Sequence, residues 1–179
     1  MKSVLVTGGA RSGKSSFAES IYNGKTDVVY IATSKVTDRE MEERVKLHRK
    51  QRPKDWITYE GYHNIDDAVK GSRNYILDCL TVMTSNIMFE YTKDCQVITH
   101  LMQKEVEDSV VGEIERLMDR VRLIDGNIVM VTNEVGYGIV PDNHIARVFR
   151  DISGRVNRRV AAMCSEVYLV CCGIPVRIK

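Results

Sequence analysis

Residues 8–15, Gly8-Gly9-Ala10-Arg11-Ser12-Gly13-Lys14-Ser15, have the spacing Gly-x-x-x-x-Gly-Lys-Ser of a phosphate-binding loop. Glycines let backbone N–H groups turn inward around a polyphosphate, and the helix that follows offers its positive N-terminal end to the same anion. In such a loop Lys14 reaches the β- and γ-phosphates, and the Ser15 hydroxyl is a ligand to Mg2+. The competing reading is a strand-to-helix turn that happens to carry a lysine. With glycine at about 7% of residues, four fixed positions match by chance in well under about one chain in a hundred of this length, which favours a nucleoside triphosphate site.

Such a site needs a carboxylate near the end of a neighbouring apolar strand to fix Mg2+ or its water shell. Asp78, in Asn-Tyr-Ile-Leu-Asp-Cys-Leu (74–80), occupies that place; its alternative role is to cap the next helix. A third candidate is His48. Met41, Arg44, Val45 and His48 are spaced i, i+3, i+4, i+7, and Lys46, Arg49, Lys50, Arg52 and Lys54 surround the histidine. Two readings stay open for it: a histidine near a helix C-terminus beside a solvated basic face, or an imidazole kept near an anionic substrate. In the second, cations hold its lone pair free as a nucleophile toward phosphorus. Asn133 and Glu134 follow another apolar run and either face a ligand or satisfy loop backbone.

These residues require a frame to position them. Val4–Val6 reads as a buried strand, Ser16–Tyr22 as a helix and Asp27–Ala32 as a second strand, a strand–helix–strand unit that implies a parallel sheet. Thr37-Asp-Arg-Glu40 reads as a capping box that opens a helix to Gln51, stopped by Pro53. Trp56–Glu60 alternates, 64–70 reads as a short helix, and 74–80 is a third buried strand. Thr81–Tyr91 continues as a helix. From Leu101 to Ile124 an amphipathic helix sets Val106, Val110, Ile114, Leu117, Val121 and Ile124 on one stripe, with Glu105, Glu107, Glu113 and Glu115 on an opposite, solvated face. Asn127–Thr132 and Glu166–Cys171 are further strands. The helix between them, from Asn143 to about Cys164, carries Arg147, Arg150, Arg155, Arg158 and Arg159, read as a solvated face with Asp151 as partner, as phosphate clamps or as a reach across an interface. The last residues extend the sheet edge. The expected architecture is α/β with a mostly parallel central sheet, in one domain spanning 1–179.

The net charge of +2, from 26 basic and 24 acidic residues, gives no general cationic field, so the expected partners are small molecules and not nucleic acid. The apolar start is too short for a signal peptide and no segment approaches a membrane span, so a cytoplasmic protein is expected. The five cysteines show no C-x-x-C pair and read as core thiols, with Cys171-Cys172 buried.

Several stretches taken in order resemble one family. They are residues 8–15, Tyr-Ile-Ala-Thr-Ser (30–34), Arg44 with His48-Arg49 and Arg52-Pro53, Trp56 with Glu60, and Leu77–Leu80. Thr-Asn-Glu-Val-Gly (132–136) with Gly138-Ile-Val-Pro, and Phe149 to Asn157, complete the set. The chain is similar in these to the bifunctional adenosylcobinamide kinases / adenosylcobinamide-phosphate guanylyltransferases of cobalamin biosynthesis. The resemblance implies a three-layer, RecA-like P-loop fold and a homotrimer. It implies phosphorylation of the corrinoid aminopropanol hydroxyl by ATP or GTP, then transfer of GMP from GTP through a GMP-histidine intermediate at the position of His48. It also implies a guanine-nucleotide site from residues 8–15, Thr33, Ser34, Lys35, Arg49, Lys50, Gln51, Arg52, Glu60 and Asp78, with Mg2+ at Ser15 and Asp78. No shared motif covers 93–125.

Three other readings compete. One is a simple small-molecule kinase with His48 structural. Another is a GTP-hydrolysing switch, against which stands the absence of an Asn-Lys-x-Asp stretch; Asn133-Glu-Val-Gly lacks the lysine and the aspartate. The third is a structural ATP-binding subunit of a larger assembly, which would bind without turnover.

Overall fold

The computed structural model describes residues 1–35, 43, 52–95 and 97–179. Apart from residue 43, the helix expected over 37–51, with its capping box and with His48, Arg49, Lys50 and Gln51, lies outside the described residues.

The strands are β1 (Ser3–Gly8), β2 (Val28–Ala32), β3 (Ile57–Glu60), β4 (Asn74–Asp78), β5 (Asn127–Val131), β6 (Glu166–Cys171) and β7 (Ile174–Arg177). They form one sheet in the order β3-β2-β4-β5-β1-β6-β7. Every pairing is parallel except the last, where β7 returns antiparallel along β6 as the expected edge extension. All five residues of Val-Val-Tyr-Ile-Ala in β2 are buried, because a central parallel strand is covered on both faces.

Side chains alternate between the two covers. Val29 and Ile31 of β2 enter one core with Leu5, Leu77 and Met130, under helices α2 (Leu80–Thr92), α3 (His100–Leu123) and α4 (His144–Met163). Tyr30 and Ala32 enter the other with Val6, Ile76 and Val131, against Ala18 and Tyr22 from helix α1 (Lys14–Ser20) and the chain just after it. The result is the expected three-layer arrangement. α1 starts two residues earlier than the apolar pattern indicates, directly from the glycine loop, so Lys14 and Ser15 are its first residues. The 64–70 stretch is a single 3-10 turn, Ile65–Ala68.

In α3 the stripe Val106, Val110, Ile114, Leu117 and Val121 is fully buried, as its spacing predicts. Two of its acids depart from the expected solvated face. Glu113 is buried, accepts a hydrogen bond from Ile65 N–H at 3.2 Å and pairs with Arg116. Glu107 is mostly covered and holds Arg155 and Arg159 of α4.

The cysteine expectation also needs correction. Cys79 and Cys164 are buried, whereas Cys95, Cys171 and Cys172 are exposed. The apolar run of β6 leaves the core before its end, because β6 and β7 meet in a hairpin on the open edge of the sheet.

Register aligns the strand ends that matter. Ala32 pairs with Asp78, Asp78 with Val131, and Val131 with Val6, so the segments after β1, β2, β4 and β5 leave from one edge. β1 lies between β5 and β6, and the chain departs from it to β2 on one side and later reaches β6 on the other. A crevice opens outside the carboxyl ends of parallel strands where the direction of winding changes.

Candidate nucleotide-binding site

At that edge lies a cleft of about 730 Å³ lined by the glycine loop and the start of α1 (residues 10–16), with Tyr30, Ala32, Ser34, Arg52, Glu60, Asp78, Cys79, Val82 and Asn133. Its floor is the loop itself. A Cβ at Gly8 would sit 2.4 Å from the Val170 carbonyl oxygen and 2.7 Å from Ser12 Oγ, so only glycine lets the loop turn against β6. Gly13 has a φ of 95°, which carries the chain into the first turn of α1. Lys14 Nζ donates to the Gly9 carbonyl at 2.9 Å across the loop. Burial lowers the Lys14 ammonium below the ordinary lysine range, opposed by the negative charge of nearby groups, Asp78 among them. A partly desolvated ammonium is a strong phosphate ligand, since the phosphate repays the lost hydration.

The opposite wall is a stack of three groups. Tyr30, buried in β2, donates its hydroxyl to Asp78 Oδ2 at 2.6 Å. The Arg52 guanidinium lies over the Tyr30 ring, its central carbon 3.4 Å from the ring centroid. Arg52 Nε and Nη1 are buried and have no hydrogen-bond partner among the described residues. Buried donors without acceptors are costly, so a guanidinium held in this way is built for an anion that enters the cleft. Burial and the adjacent Asp78 carboxylate raise the Tyr30 phenol far above its usual range, so it remains a donor. Glu19, one turn beyond Ser15 on α1, is raised by burial, with Arg52 acting in the opposite sense.

Asp78 does not cap α2. That role belongs to Cys79, whose sulfur accepts from Val82 N–H at 3.4 Å, and the Asp78–Cys79 peptide is cis. Burial pushes the Cys79 thiol up to about 12, which keeps it an inert capping group. Ser15 and Asp78 line the same cleft, and hydroxyl and carboxylate oxygens are the hard donors Mg2+ takes. Among the described residues no group of three or more His, Cys, Asp or Glu side chains stands ready to hold an ion. A cation here would draw its remaining ligands from phosphate and water, as Mg2+ does.

Of the other residues expected here, Ser34 and Glu60 line the cleft, whereas Lys35 lies outside the lining residues. Thr33 is fully buried and faces away: its hydroxyl donates to the Cys79 carbonyl at 2.8 Å and accepts from Cys79 N–H at 2.9 Å, tying the ends of β2 and β4. Glu134 satisfies loop backbone, accepting from Gly136 N–H at 2.7 Å. Asn133 lines the cleft, and its backbone is fixed by Thr81 Oγ1 and by Asn157 Nδ2.

Four of the five arginines of α4 are engaged within the chain. Arg147 and Arg150 donate to loop carbonyls between Gly138 and Asp142, and Arg155 and Arg159 pair with Glu107. Sequence reasoning passed over Tyr30 and Glu19. Tyr30 reads as one more apolar strand residue, and only its phenol marks it; Glu19 is signalled by its i+4 spacing from Ser15.

Three sets of relatives bear on the chain. The family described as cobinamide kinase / cobinamide phosphate guanyltransferase matches residues 4–178. The bifunctional adenosylcobalamin biosynthesis protein CobU of Escherichia coli strain K12 is 43% identical over 180 residues, covering 98% of this chain and 99% of that protein. CobU of Salmonella typhimurium is 42% identical with the same coverage, and the corresponding CobP of Pseudomonas aeruginosa is 31% identical over 98% of this chain and 96% of its own. Among solved structures, an ATPase of a bacterial type III secretion system superposes with a TM-score of 0.58 at 13% identity, over 94% of this chain and 50% of that one. That likeness supports the RecA-like α/β fold.

Proposed function

The chain belongs to the cobinamide kinase / cobinamide phosphate guanyltransferase family, and from that premise we propose that the cleft beside the glycine loop serves both transfers. In the first, ATP or GTP phosphorylates the aminopropanol hydroxyl of adenosylcobinamide. In the second, the His48 imidazole attacks the α-phosphorus of GTP and pyrophosphate leaves. An oxygen of adenosylcobinamide phosphate then attacks the histidine-bound phosphorus, giving adenosylcobinamide-GDP and freeing the imidazole.

The observation that carries this reading is the stacked Arg52. It stands in the cleft with Lys14, yet is only four residues after His48. Four residues span at most about 14 Å even when fully extended, so the chain that bears the histidine is tethered at the cleft wall.

Residues 8–15 cradle the phosphates, Lys14 and Arg52 neutralise them, and Asp78, held by Tyr30, stays aimed at the cleft. Ser34 and Glu60 are assigned to the nucleoside side of the site together with Arg49, Lys50 and Gln51. Mg2+, held by Ser15 and Asp78, would supply charge neutralisation to the polyphosphate. Negative charge that develops on the leaving pyrophosphate is met by fixed cations, which is where electrostatic catalysis is largest.

One sheet that collects every described strand supports treating 1–179 as one domain. The exposed Tyr137, Ile139 and Val140 of the loop after β5 are apolar surface that the expected homotrimer would bury. No described helix is long and apolar enough to cross a membrane, consistent with action on small molecules in the cytoplasm.

The direct test supplies purified protein with adenosylcobinamide, Mg2+ and ATP, then with GTP, and follows the corrinoid by mass spectrometry. Successive gain of a phosphate and of GMP, with release of pyrophosphate, is expected. Phosphorylation without GMP transfer would reduce the protein to a plain kinase.

A further inference from the structure

Cys171 ends β6 and Cys172 opens the tight turn into β7, both exposed, with their sulfurs 3.9 Å apart. Cys172 takes a left-handed φ of 52° and Gly173 one of 80°, and this turn is what brings two sequence neighbours' thiols side by side. The turn leans on the back of the phosphate-binding loop. Gly173 N–H donates to the Ser12 carbonyl at 2.9 Å, and a Cβ at Gly13 would come within 3.2 Å of Gly173 Cα. Neither cysteine lines the nucleotide cleft, so the pair touches the loop from outside.

The separation selects the chemistry. A disulfide is about 2.05 Å long, so direct oxidation would need the sulfurs to close by roughly half their distance. Two metal–sulfur bonds of about 2.3 Å at a tetrahedral angle span about 3.8 Å, which nearly matches the pair as it stands. With no third His, Cys, Asp or Glu beside it among the described residues, the site suits a centre satisfied by two sulfurs. Zinc, which takes four ligands in closed sites, is poorly served.

We propose that Cys171 and Cys172 form a chelating site for a thiophilic metalloid of the trivalent, monosubstituted arsenical class, and that occupancy weakens nucleotide binding through the Gly173–Ser12 contact. For an arsenical R–As=O, two S–H bonds break and two As–S bonds form, the oxygen leaving as water with both protons; no electron is transferred. The Cys172 sulfur raises the Cys171 thiol above its ordinary range, so Cys171 enters the reaction as a thiol and supplies one of the two protons that leave in water. The consequence for nucleotide rests on the reading of residues 8–15 as the phosphate site.

The test titrates the full chain, carrying Cys95→Ala to remove the other exposed thiol, with phenylarsine oxide and measures Mg2+-GTP affinity by calorimetry. The expected result is one equivalent bound with loss of two titratable thiols and a fall in nucleotide affinity of about tenfold. A dithiol reverses the effect and a monothiol does not. Cys171→Ser and Cys172→Ser proteins bind nucleotide as the parent does and do not respond to the arsenical. The proposal is overturned if both thiols remain titratable, if the arsenical binds without changing nucleotide affinity, or if either serine variant already has altered affinity. Failure of the untreated parent to bind nucleotide would instead contradict the phosphate-loop reading.

Discussion

Tyr30 donates to Asp78 Oδ2 at 2.6 Å from the neighbouring strand, so a core tyrosine fixes the carboxylate assigned to the metal. A hydrogen bond to a charged group contributes about 1.5–3 kcal/mol. Tyr30→Phe removes it while it leaves the ring beneath Arg52. The Mg2+ concentration for half-maximal nucleotide binding should rise about tenfold, and Tm should fall by several degrees. An unchanged Mg2+ dependence would separate Asp78 from the metal.

Lys14 gives a pH prediction. Its pKa in the free protein is lowered, chiefly by burial, so between that depressed value and 10.5 the unfolded chain holds the proton more firmly than the folded one. The cost of the buried ammonium is therefore present at lower pH and is relieved as pH climbs toward 10.5. Polyphosphate favours the ammonium and should raise its pKa. Nucleotide affinity is then flat below the free-protein value and falls above it, and Lys14→Met, already weakened about a hundredfold, loses this alkaline dependence. Calorimetry of GTP binding from pH 7 to 10 would show a level profile in the wild type if the reading is wrong.

Glu113 makes a stability prediction. Glu113→Ala strands the Ile65 N–H in the core and removes the partner of Arg116, for a loss of about 2–4 kcal/mol in urea unfolding. Glu113→Gln keeps an acceptor for Ile65 and should cost less than half as much. Equal losses in the two variants would assign the effect to charge, not to the backbone bond.

The sheet was legible because its strands are uninterrupted apolar runs between turn residues, and the glycine loop because its chemistry demands fixed residues at fixed spacing. Asp78 followed from the loop, since a triphosphate site needs an acid at a strand end. The errors came where a side chain answers to an element distant in sequence. Glu113 looks solvated by residue type, yet with Val106, Val110 and Leu117 it completes an i, i+4, i+7, i+11 stripe, so its burial was written in the spacing. Its partner, the 3-10 turn at Ile65, lies 48 residues away. Thr33 fits a binding loop by position, but its hydroxyl closes the gap between two strand ends. Cys171-Cys172 follow an apolar run that outlasts the core, and hydropathy does not record where a sheet edge turns.

The central claim is covalent transfer through His48. The most direct measurement incubates wild type and a His48→Ala variant with Mg2+ and GTP labelled at the α- or the γ-phosphate, then quantifies label on denatured protein. The account predicts label from α-labelled GTP alone, labile to acid, stable to base and absent from the variant. Unlabelled wild type that still binds GTP, or a variant labelled to the same extent, would contradict it.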